Sequence, residues 1–277
     1  MCKDDQKVVS VIMAAYNAEK TVEVAVHSIL QQTYGNFELI ICDDASTDKT
    51  WKILTQIAKD NPCIRLIHQD VNRGAAAARN RCLEQARGKF IAIMDADDVS
   101  FPSRLELQLN YLCKNPYVSF VGSRGEFFSE KPGDLKKYYW FVEIPAKDDF
   151  LMTLPFVHAS LMFRKEVLTQ LGGYCGSKAV QRSEDYDLLM RAYAAGFRGS
   201  NLPVELYAIR LDQAAYNRRK YRYRFNECAV KFRGFKSLGL MPWGIPFAIK
   251  PLVVGPFPTS LLNRLKAKYY GKRERSS

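Results

Sequence analysis

The chain has 277 residues, 47% hydrophobic and 25% charged, enough to bury the core of one large domain and without the low-complexity tracts that mark disorder. Its seven scattered cysteines form no Cys-x-x-Cys pair, which excludes a disulfide scaffold or a cysteine zinc site and suits reduced thiols in a cytosolic compartment. Net charge is +12 but unevenly spread: residues 210–277 hold 16 Lys and Arg against 3 Asp and Glu, and the first 209 hold 25 against 26. A nearly neutral body with a basic tail points to an anionic partner, membrane lipid or nucleic acid.

Met1 to Lys7 lacks the apolar run of a signal peptide, which predicts a protein that is not exported. Val8–Met13 reads as a buried strand, followed by an amphipathic helix over 19–32 with Val22, Val26, Ile29 and Leu30 on one face. Phe37–Cys42 is a second strand and 48–58 a second helix. Ile64–Ile67 is a third strand, 74–87 an alanine-rich helix, and Phe90–Met94 a fourth strand. This alternation with short links predicts a parallel sheet covered on both faces. Beyond Leu105 the pattern loosens. A helix is predicted over 103–114, strands over 117–121 and 156–164, a short helix over 165–171 ended by Gly172-Gly173, and a helix from Ser183 to about Ala195.

Ligands of parallel sheets bind at the carboxyl ends of the strands. The polar clusters of the first hundred residues all fall there: Ala14-Ala15-Tyr16-Asn17, Asp43-Asp44-Ala45-Ser46-Thr47-Asp48, Asn72-Arg73-Gly74 and Asp95-Ala96-Asp97-Asp98. Three carboxylates at the end of a buried strand repel one another and call for a cation. Oxygen donors without His or Cys suit a hard ion, Mg2+ or Mn2+, which leaves coordination positions for substrate phosphates. The competing account is a solvated strand-to-helix turn capped by Asp98 or Ser100.

These clusters, with Ala78-Arg79-Asn80, Gly172-Gly173-Tyr174 and Glu184-Asp185 in the same order, resemble the family 2 glycosyltransferases over residues 8 to 208. The resemblance implies a GT-A α/β fold, in which a Rossmann-like nucleotide-binding half (1–105) and an acceptor half (106–210) share a mostly parallel central sheet. It further implies an inverting sugar transfer from a nucleotide-diphosphate donor, UDP-type, to a hydroxyl of a glycan or lipid-linked acceptor, as in bacterial cell-surface polysaccharide or lipopolysaccharide synthesis. Within that resemblance Ala14, Tyr16, Asp43, Asp44, Arg79, Asp95 and Asp97 fall on the donor side. Tyr16 would flank the base and Asp44 accept a base N–H, or else cap a helix. Asp43 would share that work or cap Thr47. Asp95 would reach the ribose, and Asp97, with Asp95, would hold Mn2+ or Mg2+ in an Asp-x-Asp arrangement, with Asp98 behind them. Arg79 would support the nucleotide or pair with Asp43 or Asp95. Asp185 would be the base that takes the acceptor proton, with Glu184 and Asp187 as rivals. His158 would line the acceptor pocket, touch the diphosphate, or be a hydrogen-bonded core residue.

From Tyr216 to Lys236 aromatic and basic residues interleave, with Tyr221, Phe225, Cys228, Phe232 and Phe235 on one predicted helical face. Residues 211–277 thus read as a basic amphipathic extension that either docks on an anionic membrane surface or packs on the domain. Prolines at 242, 246, 251, 256 and 258 argue against a continuous helix over 241–262, and so against a membrane span. These features predict a cytoplasmic protein peripheral to the inner face of the cell membrane. A sugar-nucleotide pyrophosphorylase would want glycines directly after strand one, where none stands before Gly35. A nucleic-acid-binding protein would leave the acidic rim unexplained, so no nucleic-acid partner is expected.

Overall fold

The computed structural model describes residues 9–135, 137–211 and 221–254. Strands β1 (Val9–Ala15), β2 (Phe37–Asp43), β3 (Ile64–His68) and β4 (Phe90–Asp95) alternate with helices α1 (Val22–Leu30), α2 (Thr50–Lys59) and α3 (Ala75–Gln85). The four strands pair in parallel in the order β3-β2-β1-β4, as the alternation predicts. The second half is mixed. After β5 (Val99–Ser100) and α4 (Arg104–Lys114) come β6 (Phe120–Phe128), β7 (Lys137–Tyr138), β8 (Met162–Arg164), α5 (Lys165–Gln170), α6 (Glu184–Ala194) and β9 (Gly199–Arg210). They extend the sheet as β4-β8-β6-β9-β5, with β8 antiparallel to both neighbours and β6 parallel to β9.

Alternate residues of the same strands feed two cores, as a period of two requires. Ile12, Ile40, Ile91 and Ile93 pack beneath α3, α5 and α6, whereas Val11, Met13, Leu39, Ile41, Ala92 and Met94 pack against α1, α2 and α4. The strand predicted over 156–164 survives only as β8, because His158–Ser160 turns as a short 3-10 helix.

The tail helix α7 (Arg222–Ser237) is docked on the domain: Val230, Phe235 and Leu238 share a core with Leu188, Leu189 and Met190 of α6. Its buried stripe differs from the predicted one, since Phe225 and Phe232 are exposed. The reason is steric. A Cβ at Gly234 would collide with Met190 Sδ, so the glycine side of the helix makes the closest approach. Helix α8 (Ile245–Val254) is short, ten residues of the 241–262 stretch, and forms across two prolines. Pro246 lies in the first turn, where no intrahelical N–H is required, and Pro251 costs one hydrogen bond on a helix anchored by buried Ala248. Among the described residues no helix is long and apolar enough to cross a membrane. The predicted basic residues at 218–220 and the amphipathic pattern after 254 lie outside the described residues. The six cysteines that are described are all unbridged.

Candidate active site

Strand register brings the predicted clusters to one edge. Ala14 lies beside Cys42 on one side and Asp95 on the other, Ala15 beside Asp43, and Asp43 beside His68. The first two loops are laced together. Asn17 Oδ1 accepts the Thr47 N–H at 2.8 Å, Ser46 Oγ accepts the Asn17 N–H at 3.0 Å, and Asp48 Oδ2 accepts the Glu19 N–H at 3.1 Å. Tyr16 stands on this edge, half exposed.

Asp44 is buried, and its carboxylate is already occupied within the protein. Oδ1 accepts from Gln69 Nε2 and the Arg73 N–H, and Oδ2 from the Gly74 N–H, each at 2.8 Å. It therefore folds the third loop over the sheet edge and keeps about one of four acceptor positions for anything else. Asp43 is fully buried and accepts from the Ser46 N–H rather than capping Thr47; its Oδ2 also lies 3.0 Å from His68 Nδ1.

The centre of the cleft is a charge cluster drawn from both halves of the chain. Arg79, on α3, donates from Nη2 to Asp95 Oδ1 at 2.6 Å, one of the two pairings its sequence setting allowed. Its guanidinium lies over the Tyr174 ring, 5.5 Å from the centroid. Burial alone would pull the Arg79 pKa down, but Asp95 first, then Tyr174 and Glu184, hold it above the usual value. Burial would likewise raise Asp95, yet Arg79 keeps its carboxyl below the ordinary range. Across the cleft, burial and then Glu184 push Asp185, on the first turn of α6, up to about 6. Arg79 Nε and Glu184 Oε2 are both buried without a hydrogen-bond partner among the described residues. Such orphan groups in a cleft mark where a ligand or water belongs.

Tyr174 is locked in place by Asn80, which accepts its N–H at 2.9 Å and donates to its carbonyl at 2.8 Å. Gly173 permits this closeness: its φ is +72°, and a Cβ would lie 2.6 Å from Asn80 Oδ1. His158 is buried with Nε2 2.9 Å from the Tyr174 hydroxyl. Burial and then Arg79 lower its pKa to about 3, so it is neutral. Asp187 is committed elsewhere, pairing at 2.7 Å with Arg191, which donates to the carbonyls of Leu171 and Gly173.

Three residues that sequence reasoning missed hold the Asp95–Asp98 turn. The Tyr207 hydroxyl accepts the Asp95 N–H at 3.1 Å and is hydrogen-bonded to the Asp98 side chain. Arg210 gives its N–H to Asp98 Oδ1 at 2.8 Å and its Nε to the Asp97 carbonyl at 2.9 Å. Arg104, fully buried, donates to the Ile93 carbonyl at 2.7 Å and lies over the Tyr207 ring. Tyr207 and Arg210 belong to β9, whose alternation Pro203 obscures, and Arg104 occupies a core position of α4. Burial and then Asp97 and Asp95 raise the Asp98 carboxyl well above its usual range, so this buried group supports the turn rather than binding in the cleft. Asp97 is exposed and Asp95 half-buried. Among the described residues no three His, Cys, Asp or Glu converge as a metal cage. Two carboxylates with the remaining ligands from phosphate and water is the arrangement by which Mg2+-like ions meet a diphosphate, and this donor set fits it.

An acidic turn and the Arg79–Asp95 pair thus stand at the carboxyl edge of a mixed α/β sheet, and Glu184 and Asp185 act on the same charge cluster. Solved structures share this fold. Staphylococcus aureus TarS 1-349 superposes with a TM-score of 0.65 at 19% identity, over 81% of this chain and 64% of that one. The mannosyltransferase PcManGT from Pyrobaculum calidifontis, in complex with GDP-Man and Mn2+, superposes with a TM-score of 0.63 at 23% identity, over 98% and 83%. The fold is GT-A. The family model for glycosyl transferase family 2 matches residues 10–172, and the chain belongs to that family and is a glycosyltransferase. EpsE of Bacillus subtilis (strain 168), whose own glycosyltransferase assignment is provisional, is 37% identical over 94% of this chain and 93% of its own length. The Escherichia coli protein UDP-Glc:alpha-D-GlcNAc-diphosphoundecaprenol beta-1,3-glucosyltransferase WfaP is 30% identical over 84% and 88%.

Proposed function

We propose that the protein transfers a sugar, with inversion, from a UDP-type nucleotide sugar to a hydroxyl of a lipid-linked glycan in cell-surface polysaccharide synthesis, at the cytoplasmic face of the membrane. One observation carries the proposal: Arg79 joins Asp95 of the nucleotide half to the field of Glu184, beside Asp185, in the acceptor half, so both reacting partners meet over a single charge cluster. The E. coli relative acts, by its name, on a diphosphoundecaprenol acceptor with UDP-Glc, which favours this donor and acceptor class.

Asp185 takes the proton of the acceptor hydroxyl, and its charge favours the positive sugar ring that develops as the glycosidic bond to phosphate breaks. Glu184 raises the basicity of Asp185 through its own charge. On the donor side Tyr16 flanks the base and Ala14 leaves room beside the sheet edge. Asp44 shapes the base pocket through Arg73 and Gly74, with its remaining acceptor position for a ring N–H, and Asp43 fixes the same loop. Asp97 and Asp95 would hold Mn2+ or Mg2+, which when bound neutralises charge on the leaving diphosphate. Arg79 orients Asp95 for that role and for the ribose.

UDP titration in Mn2+ and in chelator tests this. UDP should bind more tightly with Mn2+, and Asp97→Ala should erase the difference. Equal affinity in both conditions would defeat the metal assignment, and no nucleotide-sugar turnover with any donor would defeat the proposal itself.

A further inference from the structure

Helix α8 is satisfied on one side and bare on the other. Ala248 and Pro251 are buried and Phe247 packs on the core, yet Trp243 is 82% exposed, Ile245 38%, Ile249 42% and Val253 60%. Residues 245, 249 and 253 fall on one line of a helix, so Ile245, Ile249 and Val253 form a continuous ridge, with Trp243 in the turn just before it. The surroundings are cationic. Lys236, Arg233 and Lys250 are exposed, and the one acid between 221 and 254, Glu227, is consumed by ion pairs with Arg224 and Lys231 at 3.0 and 3.1 Å. In the sequence beyond α8, outside the described residues, six further Lys and Arg stand against one acid, Glu274.

We infer that this ridge inserts shallowly into a bilayer containing anionic lipid, and that α7 fixes it relative to the helix carrying Asp185. The inference rests on the membrane-surface association proposed above and narrows it to Trp243, Ile245, Ile249 and Val253. Aliphatic side chains with a tryptophan at one end, edged by Lys and Arg, match the headgroup–acyl boundary. A second copy of the chain would bring like charges face to face, and a nucleic acid would have no use for the aliphatic Ile245, Ile249 and Val253 that make most of the ridge.

The connection to the cleft is built from described contacts. The Tyr221 hydroxyl donates to the Leu252 carbonyl at 3.1 Å, tying α8 to the start of α7. Asn226 Nδ2 donates to the carbonyls of Lys178 and Gln181 at 3.0 and 3.3 Å, in the segment that leads into Asp185. Lys231 Nζ lies 5.0 Å from the Tyr186 ring centroid, next to that base. Docking would therefore set the height of the acceptor segment above the lipid surface.

The test uses the full chain with phosphatidylcholine vesicles, with and without phosphatidylglycerol. The wild-type protein should sediment with the anionic vesicles, and brominated lipid should quench a component of its emission that Trp243→Phe removes. Ile249→Glu with Val253→Glu should weaken binding by about tenfold or more, with UDP affinity unchanged. If that pair lowers thermal stability, Ile249→Ser with Val253→Ser should give the same loss. Vesicle binding that survives both pairs, or Trp243 unquenched while bound, would overturn the inference in favour of attraction by tail charges alone. A wild-type dimer in sedimentation velocity that the variants dissolve would overturn it in favour of a second copy. Absence of UDP binding in the wild type would count against the UDP-type donor proposed above and leave the vesicle result standing.

Discussion

Asp185, half-buried, and His158, buried, both lie near Tyr174 and Arg79 and respond to burial oppositely. Burial lifts the carboxyl to about 6 and drops the imidazole to about 3. A base must be ionised to act, so transfer rates should fall as pH drops through about 6, and they should do so because of Asp185. Asp185→Asn should lower the rate about hundredfold to ten-thousandfold. His158→Gln, which keeps a hydrogen-bonding partner for Tyr174, should leave the acidic limb where it is. A pH–rate profile of each variant decides between them, and a limb that moves with His158 would reassign the base. Asp95, Asp97, Glu184 and Asp185 stand out in the sequence by order and spacing, and their proposed roles rest on that signal. The pairing of Arg79 was legible only as a choice of two partners. The Tyr174–His158 contact was not, since it depends on how a glycine turn meets a 3-10 turn. Nor was the engagement of Asp44, whose donors Arg73 and Gly74 stand 29 and 30 residues further along the chain.

Among the elements, the parallel strands were readable because both faces of each are apolar and the connecting helices are short. Strand β9 and the turn at His158–Ser160 were not, for a proline interrupts the first and an unbroken apolar run disguises the second. Helix α7 shows a different limit. Its aromatic residues lie on two interleaved stripes, and periodicity does not say which one meets the domain. The partner decides, through the space that Gly234 leaves for Met190. Gly234→Val should therefore destabilise the fold by about 1–3 kcal/mol, as overpacking does, seen as a lower urea midpoint at constant slope. An unchanged midpoint would mean that α7 and α6 separate readily.

For the molecule as a whole, composition marks a boundary near residue 210, but the described part of the tail shares a core with the preceding domain. Val230, Phe235, Leu238, Leu240 and Ala248 are buried beside α6. A chain ended at 211 should lose stability by more than the roughly 3–5 kcal/mol that one buried phenylalanine costs when truncated, with aggregation or a broadened unfolding transition. Full retention of the urea midpoint would show the tail to be dispensable. Point changes on α8 are accordingly the cleaner probe of membrane contact. Net charge alone could not separate lipid from domain as the tail's partner, because the same helices touch the domain with one side and leave the other free.

Arg79 pairs with Asp95 and lies within the field of Glu184, far along the chain. On the proposed assignment, transplanting the stretch around Tyr174 and Glu184 from a cousin to change the acceptor would also change the counter-charges of a guanidinium that serves the nucleotide end. Recognition of the two substrates would then be mechanically yoked, and chimeras that ignore the yoke should forfeit donor affinity along with the old acceptor.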